Sequence, residues 1–256
     1  MSNRKIDVVS HCFSVPKDGH STEEYEDFCR GDDERMRYAI GDGATESSFA
    51  KDWVQLLVNR FIENPIESKG WAEWLPPLQK EWCAKIDAMT LPWFAEEKAA
   101  IGAYATFLGL VIQDDGSWRA IAVGDSCLFR IRAGEVTPFP IGRSPEFRST
   151  PDLIGARLPA DDVVSQNKEK LLDDTWAPGD QMYLMTDALA HWFVNQIEER
   201  RHFTWEYNPL EAKNLDEFTS CITGLRAAKQ LKNDDVTLMV IKDKPEALQQ
   251  IVMSTP

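Results

Sequence analysis

Four short aspartate motifs constrain this chain more than anything else in it: Ile40-Gly41-Asp42-Gly43, Val123-Gly124-Asp125-Ser126, Met185-Thr186-Asp187-Ala188 and Asn233-Asp234-Asp235-Val236-Thr237. Each sets an aspartate at or beside an apolar, strand-like run, so a fold that aligns those runs brings carboxylates together. Two close carboxylates repel by about 4 kcal/mol at an effective dielectric near 20. Hard divalent cations are the usual means of offsetting that repulsion. The pattern points to a site for more than one Mg²⁺ or Mn²⁺ ion.

The hydrophobic periodicity supplies the frame. Residues 7–13 read as a first strand, 25–29 as a second, and 36–40 as the strand that delivers Asp42. Ser47 and Ser48 are N-cap candidates for a helix whose Phe49, Trp53, Leu56, Leu57 and Phe61 form one apolar stripe. A helical region with Trp71, Trp74 and Trp82 follows, in which Pro76-Pro77 marks a break or the first turn of a new helix. Its tryptophans are expected to pack in a core. Residues 105–112 and 118–123 read as strands joined at Asp114-Asp115-Gly116, and a second hairpin turns at Ala133-Gly134. Residues 138–176 are rich in Pro, Ser, Asp and Arg without sustained periodicity, the pattern of a mobile functional loop.

At 256 residues with 43% hydrophobic content, the chain suits a single domain with one substantial core. The net charge of -14 argues against nucleic acid or an anionic membrane as partner, because both are held by clustered Lys and Arg. The apolar stretch at residues 99–112 is interrupted by glycines and does not read as a membrane span, and the first residues lack the apolar core of a signal peptide. Five scattered cysteines with no CxxC spacing lead us to expect reduced thiols and a cytoplasmic setting. Cys29 and Arg35 have the CX5R spacing of cysteine-dependent phosphatases. The intervening Asp32, Asp33 and Glu34 would repel a phosphate and raise the thiol pKa, so we read that match as coincidence.

In order and wording the motifs resemble the PPM (protein phosphatase 2C-like) family of metal-dependent serine/threonine phosphatases, in a divergent, bacterial-type form. The resemblance spans residues 7–241. It rests on Gly124-Asp125-Ser126 in a hairpin, on Pro178-Gly179-Asp180 leading through Met182-Tyr183-Leu184-Met185 into Thr186-Asp187, and on Asp234-Asp235-Val236-Thr237. It implies an α+β fold, a four-layer αββα sandwich with two central antiparallel sheets flanked by helices, and a flap within 138–176. It also implies two Mg²⁺ or Mn²⁺ ions, with a third, weaker one. Asp42 matches the bridging carboxylate, the Gly43 carbonyl the backbone ligand beside it, and Asp187 and Asp234 the remaining carboxylates of the first metal. Glu26 matches a ligand of the second metal, Asp27 the acid that orients metal-bound water, and Asp125 the acid of the third metal.

The chain departs from the family pattern in several places. The arginine that commonly grips the substrate phosphate is replaced by Thr22, leaving Lys17, His20, Arg30 and Arg143 open to that role, with Lys17 our choice. Ala44 stands where some members carry a general-acid histidine, and Ala188 where many have glycine. His191 occupies an often acidic position near the third metal, as a proton donor, a third-metal neighbour or simply a helix residue. Asp235 replaces a frequent asparagine and would tighten metal binding or face solvent.

The resemblance implies a cytoplasmic protein phosphatase in which a metal-bridging hydroxide attacks phosphoserine or phosphothreonine directly. Its partners would be phosphorylated proteins and the serine/threonine kinase that produces them. With no coiled coil or dimerisation tail legible, a monomer is expected. A catalytically weak PPM-like regulatory or binding module is the alternative from another class, and a small-molecule phosphatase the alternative within the enzymes.

Overall fold

The structure is a computed structural model that describes residues 6–44, 49–66, 70–157, 169–199 and 208–245. Alternating apolar residues build two five-stranded antiparallel sheets. The first contains β1 (Val8–Val15), β7 (Cys127–Arg132), β8 (Glu135–Phe139), β11 (Gln181–Met185) and β12 (Val236–Asp243), in the order β1-β12-β11-β7-β8. The second contains β2 (Phe28–Asp32), β3 (Arg37–Gly41), β5 (Phe107–Ile112), β6 (Ser117–Val123) and β10 (Lys170–Thr175), in the order β10-β6-β5-β3-β2. A short pair, β4 (Tyr104–Ala105) with β9 (Ile154–Gly155), stands apart.

The period-two pattern sorts side chains between layers. On β12, Met239 and Ile241 enter the core between the sheets, where they meet Ile40, Leu108, Leu110, Met182 and Leu184. Val236, Leu238 and Val240 of the same strand face α4 (Asp187–Glu198) and α5 (Leu215–Ala227). On the far side, Phe107, Ile121 and Val123 pack under α1 (Ala50–Glu63) and α2 (Trp71–Asp87), with α3 (Trp93–Ile101) beyond them. The result is the expected four-layer αββα sandwich.

Several sequence expectations change in detail. Ser47 and Ser48 lie outside the described residues; α1 begins at Ala50 with Phe49 at its N-cap and no side-chain cap bond. Its stripe is buried as expected at Trp53, Leu57 and Phe61, with Leu56 only partly covered. Pro76 and Pro77 do not divide the tryptophan-rich region, since α2 runs continuously through them in its second turn. Trp71 and Trp82 are buried there, and Trp71 and Trp74 lie against Phe107 at 5.9 and 6.0 Å between ring centroids. The described part of residues 138–176 carries regular structure that its composition did not suggest, a 3-10 turn (Ser144–Glu146), β9 and the edge strand β10; residues 158–168 lie outside the described set. The hairpin at Ala133-Gly134 is confirmed, both residues having positive φ, 50° and 83°.

The cysteines correct the reduced-thiol expectation. Cys12 on β1 and Cys29 on β2 form a disulfide, with Cα atoms 6.9 Å apart, that joins an edge strand of one sheet to an edge strand of the other. Cys83, Cys127 and Cys221 are free thiols. A chain with a cross-sheet disulfide no longer argues for the cytoplasm through its thiols, and Cys29 has no thiol for the CX5R chemistry. Among the described residues, no helix is long and apolar enough to cross a membrane.

Candidate metal centre

Strand ends from both sheets meet at one end of the sandwich, and the aspartates stand on them. Asp42 follows β3, Asp125 follows β6, Asp187 opens α4 directly after β11, Asp234 precedes β12, and Asp27 precedes β2. Antiparallel pairing sets this alignment. Phe28 pairs with Gly41, Phe107 with Val123, Met185 with Leu238, and Val15 with Val236.

The glycines beside the acids are required by close approach. A Cβ on Gly41 would lie 2.5 Å from Val54 Cγ2 and 2.7 Å from the Thr106 carbonyl oxygen, and one on Gly43 would lie 2.9 Å from the Ala50 Cβ and 3.0 Å from the Glu26 carbonyl oxygen. Gly124 adopts φ 97°, which suits glycine alone, and packs against Thr106 and the Asp152 backbone. Thr106 ties two motifs together. Its hydroxyl accepts from the Asp42 amide at 3.1 Å and bonds the Ser126 hydroxyl at 2.8 Å, while its amide donates to the Asp42 carbonyl at 2.9 Å.

Asp27 is buried, and its Oδ2 accepts from the Thr237 hydroxyl at 2.8 Å and lies 3.5 Å from the Tyr25 hydroxyl. Thr237 is itself bonded to the Tyr25 hydroxyl, and its amide donates to Thr186 Oγ1 at 3.0 Å, which joins the final motif to the one at Asp187. Burial raises the Tyr25 phenol well above its ordinary pKa, and the Asp27 charge adds to this, so Tyr25 stays a donor.

The acids sense one another. Burial, followed by the charges of Asp27 and Asp187, pushes the Asp42 carboxyl well above the usual range. Asp27 is raised to about 7, chiefly by burial and then by Asp235, against the bond from Thr237. Asp125 is also raised to about 7, by burial and by Asp187. Asp187 is raised by burial and by Asp234, with Lys232 acting in opposition. Two carboxylate oxygens, Asp27 Oδ1 and Asp125 Oδ1, are buried with no hydrogen-bond partner among the described residues. A buried carboxylate lacking a donor is costly. Hard oxygen donors, crowded like charges and two partnerless oxygens fit Mg²⁺ or Mn²⁺. Among the described residues, however, no three Asp, Glu, His or Cys side chains are already assembled closely enough to hold a metal ion. The acids converge without forming a finished cage.

The remaining candidates are placed as follows. Glu26 lies beside the centre through its main chain, its carbonyl against Gly43 and its amide donating to Asp235 Oδ2 at 2.8 Å. Lys17 is anchored at the rim, where its amide donates to Asp235 Oδ1 at 2.9 Å, and its charge is felt at Glu24. Of the other candidates, Arg30 bonds Asn59 at 2.8 Å on the α1 side and His20 lies 3.8 Å from Glu24. His191 is exposed one turn into α4 and stacks on Phe147, with ring centroids 4.9 Å apart.

Three residues matter here that sequence reasoning did not assign. Asp235, expected either to tighten metal binding or to face solvent, is buried, and its two oxygens hold the Lys17 and Glu26 amides. Arg226 of α5 is buried and donates to the carbonyls of Pro16, at 2.9 Å, and Asp234. Lys232 places its ammonium 2.6 Å from Asp234 Oδ2 and 3.7 Å from Asp187 Oδ2. Apart from Asp234, the partners of Asp235 and Arg226 lie more than 200 residues away in the chain, so no local pattern marks them.

No family model and no curated protein matches this chain by sequence. Solved structures do match. The serine/threonine phosphatase PstP/Ppp of Mycobacterium tuberculosis superposes with a TM-score of 0.63 at 14% identity, covering 93% of this chain and 99% of that one. The catalytic domain of PstP in complex with two manganese ions gives 0.59 at 15% identity, covering 92% and 97%. PppA, a regulatory component of T6SS in Pseudomonas aeruginosa, gives 0.58 at 14% identity, covering 94% and 99%. At such identities the likeness speaks for architecture. The chain is built on the fold of the PPM serine/threonine phosphatases.

Proposed function

We propose that this chain is a Mg²⁺- or Mn²⁺-dependent phosphatase of phosphoserine and phosphothreonine in proteins. The observation that carries this reading is the convergence of Asp27, Asp42, Asp125, Asp187 and Asp234 at one end of a PPM-type sandwich, where burial and mutual repulsion favour the neutral forms of the first four. Asp42, Asp187 and Asp234 with the Gly43 carbonyl would hold one ion. Asp42 would share a second with Glu26, and Asp125 would serve a third. Divalent ions bound there supply an activated water and neutralise charge on the phosphoryl oxygens. Asp27, held through Oδ2 by Thr237, keeps Oδ1 to orient water. Lys17 is our choice for the cation that meets the substrate phosphate, since its backbone is fixed at the rim. The reading takes the protein to be a cytoplasmic monomer, where phosphoproteins and the kinase that makes them share a compartment.

The lysine between Asp187 and Asp234, with no finished cage among the described residues, favours one second reading, a PPM-like regulatory or binding module of low activity. Phosphopeptide hydrolysis with Mn²⁺, Mg²⁺ or chelator separates the two. We expect phosphate release that chelator abolishes and that Asp42→Asn loses almost entirely while remaining folded. Equal turnover by Asp42→Asn would remove the metal-centre assignment, and no turnover by the folded wild-type protein that still binds Mn²⁺ would favour the module.

A further inference from the structure

Lys232 lies in the connection from α5 to β12, two residues before Asp234. Its stem leaves a fixed point. Leu231 is buried and its amide bonds the Leu225 carbonyl at 3.3 Å, and Arg226 holds the Asp234 carbonyl. On the other side, Asp187 is fixed as the first residue of α4. The ammonium thus reaches two carboxylates from different parts of the chain, Asp234 in the connection to β12 at 2.6 Å and Asp187 at the start of α4 at 3.7 Å, while the lysine side chain is 65% exposed.

We propose that Lys232 is a tethered counter-ion of the acidic centre, which holds Asp187 and Asp234 together in the metal-free protein and gives way when a divalent ion takes the same carboxylates. The proposal rests on the reading of this centre as metal-binding, and makes metal uptake at this end an exchange of cations. Three physical points support it. Without any cation, the approach of the two aspartates is opposed by their like charge. A lysine is a compact charge on a flexible four-carbon stem, so it can leave for solvent without moving the backbone. Arg226, a buried cation of this region, is committed to main-chain carbonyls and to Asp18 and cannot substitute. Because the lysine is largely exposed, its hold on the acids is weak enough for a doubly charged ion to displace it.

The test is Lys232→Met, which keeps most of the stem and removes the charge, with Lys229→Met as a control for loss of a nearby exposed charge and Lys232→Arg as a charge-retaining variant. Mn²⁺ binding is measured by calorimetry, and melting temperature is measured in chelator. Lys232→Met should bind Mn²⁺ roughly three- to tenfold more tightly, the range expected from losing one or two exposed ion pairs. It should also melt at a lower temperature than wild type in chelator, while Lys229→Met changes neither quantity comparably. Lys232→Arg should stay near wild type. Unchanged or weaker Mn²⁺ binding by Lys232→Met would overturn the exchange and leave the metal centre intact. Absence of Mn²⁺ binding by wild type and variant alike would overturn both.

Discussion

Asp27 is crowded by charges of its own sign: the Thr237 and Tyr25 hydroxyls reach one oxygen, the other has no hydrogen-bond partner among the described residues, and Asp42 and Asp235 stand nearby. Burial and repulsion therefore favour its neutral form, and the same holds for Asp42, Asp125 and Asp187. An unfolded aspartate has a pKa near 3.9. The metal-free fold binds more protons than the unfolded chain between that value and about 7, where Asp27 and Asp125 titrate. Their contribution to stability is fully present below about pH 4 and is lost as pH rises through 7. In chelator, the protein should melt several degrees lower at pH 8 than at pH 6. Asp42→Asn should flatten that slope and raise the melting point at pH 8, because it removes the charge at the middle of the cluster. Thermal denaturation across this range checks both outcomes; a wild-type melting point that rises from pH 6 to pH 8 would show that these acids are not crowded in the folded state. The aspartates themselves were legible in the sequence because strand patterns and turn residues surround them. Lys232, Arg226 and Asp235 were not, because their roles depend on contacts made only when distant loops meet.

Among the elements, the connections around the acids depart furthest from local pattern. The second strand was expected from Tyr25 and begins at Phe28, because residues 25–27 are drawn out of the sheet into the centre, Glu26 by Asp235 and Asp27 by Thr237. The strand β10 escaped notice for a different reason. It is an edge strand whose residues are largely exposed, with Asp173 paired to Arg119 across the register, so its alternation of apolar residues is weak. By contrast β5, β6, β11 and β12, buried on both faces, announce themselves as apolar runs. Asp235 is the device that holds the early loop to the last strand, since its two oxygens accept from Lys17 and Glu26 on either side of that loop. Asp235→Ala leaves both amides without that acceptor and should destabilise the protein by about 1–3 kcal/mol. Hydrogen exchange should report faster protection loss at the Lys17 and Glu26 amides, with β5 and β11 unchanged. Unchanged exchange at both amides would show that the loop is held by other contacts.

At the scale of the whole molecule, the two sheets are held face to face by the core around Ile40, Leu110, Leu184 and Met239, and at one edge by the Cys12–Cys29 bond. Individual strands were legible from hydrophobic periodicity, which assigns each strand two faces, while their arrangement in layers came from the resemblance to the PPM family. The cysteine pairing was not legible, for it depends on β1 and β2 being edge strands of different sheets that come together, which no spacing of 17 residues declares. A bond closing that loop stabilises the fold by about 3 kcal/mol in the chain-entropy account. It also fixes the strand that enters the metal centre, since Cys29 lies two residues after Asp27. Alkylation of the denatured, unreduced protein should therefore label three of the five cysteines, Cys83, Cys127 and Cys221, and labelling after reduction should reach all five. Reduction of the native protein should lower its melting temperature. Five labels without reduction would remove the bond, return the argument for a reducing compartment, and leave the two sheets joined by their packed core alone.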